Sequence, residues 1–340
     1  DKKVLTINHS LVSGSSNLSN VPVLVKLTDD PDLSTSKIGD DGTGVRFTSD
    51  GSTFLDSEVE YYSGNSTHGS IEAWVEIPTV DHDDPTYFYI HFGQTTPSTS
   101  RSTGVWDADR DSGTSGTQKF EAVNHLHSTP NSVASDREIE GSTGIKNEVG
   151  NDVDDFNANN MNGADQVTGK IGLALDFDGV NDYLCLDDII GGDNNFNCGG
   201  SAEKSTIFDG SPQVPQRSIS LWLYAHTIND NVDGDMIFEE GGSSNGLNIY
   251  LKDSRLYAGA WTGNSDSQKW MDTAVTANEW HHVVFVFRET SDDSELWYDG
   301  VKVDTVSGHI ANAHTNDDTL GKAAGTKTKE ANVTNPMQYD

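Results

Sequence analysis

Cysteine is almost missing from this chain. Cys185 and Cys198 are the only two in 340 residues, enough for one short-loop disulfide in an oxidising compartment and without the spacing of a zinc site. Long apolar runs are missing too. The longest, Val283-Val284-Phe285-Val286-Phe287, has the length of a strand and falls far short of the ~20 residues of a membrane helix. Basic residues are scarce, with 21 Lys and Arg against 54 Asp and Glu and a formal net charge of -33. Such a field repels nucleic acid and anionic membrane, which removes both as partners. No 3.6-residue periodicity extends beyond a few turns, so a helical layer is not expected. No fixed-period repeat points to a solenoid or propeller. G-x-S-x-G, H-E-x-x-H and P-loop motifs do not occur.

What remains is acidic and turn-rich. The acids divide into 39 Asp and 15 Glu, and Asp favours turns over helix or strand interiors. Most of this charge reads as a solvating surface suited to salty surroundings, where screening relieves self-repulsion. A subset in loops has the hard oxygen chemistry that calcium takes. The chain opens on Asp1 rather than Met, the expectation for an exported protein whose leader has been removed. N-x-Ser/Thr sequons at Asn8, Asn17, Asn65 and Asn332 fit export as candidate glycosylation sites.

The length predicts two domains, and the patterning predicts an all-β fold. Ile71 to Ile77 alternates apolar and acidic residues, the period-2 sign of a half-buried strand. Val21 to Leu27, Gly44 to Thr48 and Tyr87 to Phe92 read as further strands, separated by turn clusters such as DDGTG and SDGS. The Ser/Thr/Gly/Asp-rich stretch 101–119 reads as a linker. It separates a small β-sandwich at 1–100 from a larger sandwich at 120–340. In the second half, strands are expected at Leu173–Phe177, Tyr183–Leu186, Ser218–Tyr224, Leu247–Leu251, Leu256–Trp261, His282–Phe287 and Glu295–Tyr298.

Four motifs occur in order in that second half: GKIGLALDFDGVNDY from Gly169, SISLWL from Ser218, EWHHVVF from Glu279 and LWYDGVKV from Leu296. Together they resemble the LamG-like (laminin G type), concanavalin A-like domains of bacterial and archaeal surface proteins. The resemblance implies a concanavalin-like jelly roll. Asp178-Gly179 and Asp299-Gly300 read as its hairpin turns. Trp222 and Trp280 alternate with apolar neighbours and are expected in or beside the sandwich core. His281 and His282 are consecutive, so they point to opposite faces, and one of them is expected to be packed. The first half resembles a family known only as a domain of unknown function that precedes LamG-like domains in exported archaeal and bacterial proteins. Asn20–Val25, Gly44–Phe47, Ile71–Val75 and Tyr89–Gly93 carry that likeness. LamG-like domains finish on a Gly-x-Ile-Asp-Glu-Val-Arg strand that does not come after Met337–Asp340 here. Either the natural protein continues or a neighbouring molecule supplies that strand.

Concanavalin-type sandwiches include glycosidases that place Glu residues in an E-x-D-x-x-E pattern. The close Glu pairs here, Glu58 with Glu60, Glu138 with Glu140 and Glu239 with Glu240, lack that spacing, and solvated surface is the expectation for them. His125 and His127 share a strand face, but structural histidines are expected over a metal site. Calcium is the expected structural cofactor, either at Asn181 and Asp182 with Asp152, Asp154 and Asp155, or at Asp230, Asp233 and Asp235. Sugar faces stack on aromatic rings, which makes Tyr257, Trp261 and Trp270 the candidates for ligand binding. Trp270, in a turn-rich segment, is the better of these, whereas Trp261 continues an alternating strand. The expectation is a non-catalytic extracellular or cell-surface adhesion or structural module, with self-assembly among its roles. A calcium-dependent carbohydrate-binding module is the alternative, and a glycoside hydrolase ranks below both.

Overall fold

The computed structural model describes residues 1–93, 103–106, 123, 125–126, 157–185, 216–228, 234–263, 268–288, 293–309, 319–323 and 328–329. The chain divides into two compact units, the first holding Asp1–His125 and the second most of the chain from Leu126 onward. Among the described residues the one α-helix is a single turn, Thr35–Ile38. No described helix is long and apolar enough to cross a membrane.

The first unit is built from β1 (Lys2–Ile7), β2 (Leu18–Asp30), β3 (Arg46–Thr48), β4 (Ser57–Gly64), β5 (Gly69–Val80) and β6 (Thr86–His91). They form two three-stranded sheets, β1-β6-β3 and β2-β5-β4. The alternation in β5 puts Ile71, Ala73, Val75 and Ile77 into a core shared with Phe47, Phe88 and Ile90. The opposite face of β5 is covered as well. Val105 and Trp106, expected in the linker, are buried against Trp74 and Val123 and belong to this unit's packing. The Glu58 and Glu60 side chains, expected at a solvated surface, are buried on the same face. Trp106 Nε1 donates to Glu58 at 2.9 Å, and His125 Nδ1 lies 2.8 Å from Glu60. Burial works to lower the His125 pKa, but the two glutamates outweigh it and hold it up at about 9.

The second unit contains β7 (Asn157–Asn159), β8 (Gln166–Thr168), β9 (Leu173–Leu175), β10 (Tyr183–Cys185), β11 (Gln216–Tyr224), β12 (Asp235–Gly241), β13 (Asn245–Lys252), β14 (Arg255–Thr262), β15 (Lys269–Ala274), β16 (Trp280–Arg288), β17 (Asp293–Tyr298), β18 (Val301–Ser307) and β19 (Thr319–Leu320). A seven-stranded sheet has the order β15-β14-β13-β12-β19-β10-β7, a four-stranded sheet the order β11-β16-β17-β18, and β8 pairs with β9. Leu247, Ile249, Leu256, Ala258, Val283, Phe285, Phe287 and Leu296 are all buried, on the inward side of each strand's alternation. His309 stacks on Phe287 at 5.8 Å, and burial pushes its pKa down to about 4. Arg217 reaches inward from β11 to pair with buried Glu240, its guanidinium 5.2 Å from the Phe287 ring. Glu239 and Glu240 are fully buried rather than solvated. As consecutive strand residues they point to opposite faces, so they do not flank a common substrate bond.

Candidate functional site

The seven-stranded sheet has a second face, turned away from the sandwich interior. The register β13–β14 pairs Gly246 with Trp261, Asn248 with Gly259 and Tyr250 with Tyr257, and β14–β15 pairs Gly259 with Trp270. All the aromatic ligand candidates therefore share this face. Each indole lies over a glycine on the neighbouring strand. A Cβ on Gly246 would sit 2.6 Å from Trp261 Cζ2, and one on Gly259 only 2.3 Å from Trp270 Cδ1. The two indoles are nearly parallel, 17° apart with centroids at 6.5 Å.

These three aromatics differ in access. Trp261 is fully buried, as its place in an alternating strand suggests, and Tyr257 nearly so, so neither presents a ring face to solvent; for Tyr257 as a ligand contact this is a correction. The reason is packing. Trp261 Nε1 donates to the Gly242 carbonyl at 2.8 Å, and Tyr257 stacks on Tyr250 at 4.9 Å. Lys329 covers that tyrosine pair: its backbone N–H donates to Tyr250 Oη at 3.0 Å, its ammonium reaches Asp272 at 2.6 Å, and it lies 5.3 Å from the Tyr257 ring. Trp270 alone of the three is half-buried. It stands in an edge strand rather than the turn-rich segment expected, and its Nε1 donates to the buried Asn248 side chain at 3.1 Å.

Trp222 and Trp280 depart from expectation. The β11–β16 register places Trp222 opposite His282 and Tyr224 opposite Trp280, on the outer face of the four-stranded sheet. Ile219, Leu221 and Leu223 take the inner face, and Trp222 is 39% exposed. His281 is the packed histidine of its pair, 2.8 Å from Asp299. His282 faces outward beside Trp222, with ring centroids 4.9 Å apart.

At the Asp178–Asp182 turn, the Asp178 carboxylate accepts from the Val180 and Asn181 backbone N–H groups at 2.8 and 3.0 Å. Asp182 accepts from the Asp178 N–H at 3.0 Å. Burial, with the charges of Asp178, Asp165 and Asp176, pushes the Asp182 carboxyl up. Asp235 is buried at the start of β12. Asp152, Asp154, Asp155, Asp230 and Asp233 lie outside the described residues. Among the described residues no group of three or more His, Cys, Asp or Glu is placed to hold a metal ion. The backbone of Cys185 lies in β10, while Cys198, His127 and Asn332 are outside the described residues. Asn8, Asn17 and Asn65 are exposed.

Two packed sheets with this strand order accompany a direct sequence match. Residues 190–333 match the laminin G model described as "Concanavalin A-like lectin/glucanases superfamily". The second half is a concanavalin-like domain. No curated protein matches the chain. Among solved structures, domain 4 of AbnA, a GH43 extracellular arabinanase from Geobacillus stearothermophilus in complex with arabinotriose, is 14% identical. There the match covers 51% of this chain and 69% of that one, at a TM-score of 0.33. Domains LG4-5 of the mouse laminin alpha1 chain are 12% identical over 36% of this chain and 32% of that one, at 0.28. Botulinum neurotoxin type C, whose cell entry depends on two ganglioside molecules, is 13% identical over 49% and 35%, at 0.32. The chain thus spans about a third of the laminin and neurotoxin structures. At these TM-scores the likenesses say nothing about what the concanavalin-like domain binds.

Proposed function

We propose that this chain is a non-catalytic binding module of an extracellular or cell-surface adhesion protein, and that its concanavalin-like domain binds carbohydrate at the second face of the seven-stranded sheet. One observation carries the reading. Trp270 lies over Gly259 at the edge of the sheet, anchored through its N–H to Asn248 and packed against the Tyr250–Tyr257 cluster, and as a half-buried residue it keeps part of its surface exposed. Sugar rings stack on an indole held in this way, because the ring is pre-set and loses little freedom on binding. The opposed directions of Glu239 and Glu240 favour binding over hydrolysis.

Calcium belongs to this proposal as a structural cofactor near Asn181 and Asp182, completed by the acids at 152–155. Its support is the buried Asp182 carboxyl, whose charge is disfavoured by burial and by Asp178, Asp165 and Asp176 and would be relieved by a cation. The likeness of the first unit to the domain of unknown function is also part of the proposal, as is assembly with neighbouring copies at a surface.

A glycan array read with the intact chain and with Trp270→Ala tests the reading. Binding of neutral oligosaccharides that disappears in the variant is expected. Equal binding by both proteins, or binding by neither, overturns it.

A further inference from the structure

The second face of the seven-stranded sheet is turned away from the sandwich interior, yet much of it is closed to solvent. The register aligns Glu239, Asn248, Gly259 and Trp270 in one row and Tyr250, Tyr257 and Asp272 in the next. Glu239, Asn248 and Tyr250 are fully buried, and Tyr257 nearly so. Side chains on an outward sheet face lose their exposure only where something lies over them. Over the tyrosines the chain that follows β19 does so. Ala323 packs against the cluster of Met236, Tyr250 and Tyr257. Lys329 lies over Tyr257, with its backbone N–H on Tyr250 and its ammonium on Asp272. Trp270 packs against the same cluster, so this cover borders the indole of the proposed sugar contact.

The hold of Lys329 is slight. β19, from which the covering segment starts, has two residues, each paired with β10 and β12. Gly321 follows with a φ of 94°, a backbone state that suits glycine and lets the chain turn out of the sheet. Further on, Lys329 is anchored by one backbone hydrogen bond, one ion pair and one ring contact. Its side chain is 45% exposed, and an ion pair so solvated is weak and screened by salt. Asp272 does not depend on it, because Arg255 pairs with the same carboxylate. Lifting Lys329 therefore strands no buried charge. It uncovers two stacked rings, 13° from parallel.

We infer that Lys329 is a displaceable latch over the second face. With the latch seated the site offers Trp270, and its release adds the Tyr250–Tyr257 pair as a second ring platform beside it. This regulation rests on the carbohydrate site proposed above. A short sugar that reaches Trp270 alone binds the seated and released states alike and shifts nothing. A longer chain that spans both platforms binds the released state, and its apparent affinity is reduced by the fraction of molecules in that state.

Nitration of the full chain with tetranitromethane, located by peptide mass spectrometry, reads the latch without any sugar. Rates are taken relative to Tyr87, which is exposed. Tyr250 and Tyr257 are expected to be protected in the parent at low salt and to react at least fivefold faster in Lys329→Ala. Lys329→Arg, which keeps the cation, is expected to stay within twofold of the parent. Equal protection in the parent and Lys329→Ala overturns the inference. So does reactivity that appears only with loss of the second unit's melting transition, because Lys329 is then part of the packing. On an array of neutral oligosaccharides, Lys329→Ala is expected to bind hexasaccharides at least threefold more tightly than the parent and disaccharides equally. A gain for neither length, or the same gain for both, removes the regulatory role. An array without binding by any variant sinks the carbohydrate reading instead, and the nitration rates still decide the latch.

Discussion

Trp270 rests on Gly259, occupying the space where any other residue would place its Cβ. A Cβ there would lie 2.3 Å from the indole and 2.4 Å from the Lys269 carbonyl, and the carbonyl has little freedom to give way. Gly259→Ala is expected to lift the indole off the sheet and to cost about 1–3 kcal/mol, the usual range for overpacking. Tryptophan fluorescence and thermal melting report the two effects. Neutral-glycan binding is expected to fall with the displacement, and an unchanged spectrum would show that the ring does not depend on the glycine.

His125 makes the first unit sensitive to alkali. Its folded pKa of about 9 is raised above the unfolded value, so its contribution is fully present below about pH 6.5 and is lost as pH rises through 9. The shift corresponds to about 3 kcal/mol at most. Calorimetric melting of the full chain at pH 7 and pH 10 is expected to show the first unit's transition moving down in alkali. In His125→Gln that transition should already be low at pH 7 and move little further.

His309 does the reverse in the second unit. Burial depresses its folded pKa to about 4, so its contribution is present above about pH 6.5 and is lost as pH falls toward 4. The second unit's transition is expected to drop between pH 7 and pH 4.5. His309→Phe is expected to remove most of that pH dependence while keeping an aromatic ring against Phe287. A wild-type slope in this variant would assign the acid sensitivity to the carboxylates.

If the proposed calcium ion binds beside the Asp178–Asp182 turn, the melting temperature of the second unit is expected to rise in proportion to the logarithm of free calcium. Excess chelator is expected to lower that transition, and Asp182→Asn to remove the response. A melting curve indifferent to chelator would eliminate the calcium proposal.

Much of the fold was legible in the sequence, because β5, β6, β13, β14 and β16 carry β-branched and aromatic residues at period 2. The strands that sequence reading missed have a different character. β4 (SEVEYYSG), β15 (KWMDTA) and β18 (VKVDTVS) are polar segments, made into strands by the neighbours they pair with rather than by composition, while β1 (KKVLTI) and β12 (DMIFEEG) carry short apolar runs without clean alternation. Alternation also left the direction of Trp222 open. Ile219, Leu221 and Leu223 form one apolar set and Trp222 with Tyr224 another, so the period identifies two faces without saying which is inside. The burial of Glu58 and Glu60 was hidden for a related reason: it depends on Trp106 and His125, which are remote in sequence. The grouping of Tyr257, Trp261 and Trp270 on one face, by contrast, comes directly from strand register, and Gly246 and Gly259 were the available signal that two indoles lie flat there.

The Arg217–Glu240 pair also acts as a stop against sliding. A shift of β11 by one residue would swing the guanidinium to the outside and take the carboxylate's cation out of an interior where an isolated charge costs several kcal/mol. The same shift would carry Trp222 inward. A strand that among the described residues pairs on one side only is thus fixed in place from within, and the direction of its exposed indole is determined by a charge on the far side of the sheet.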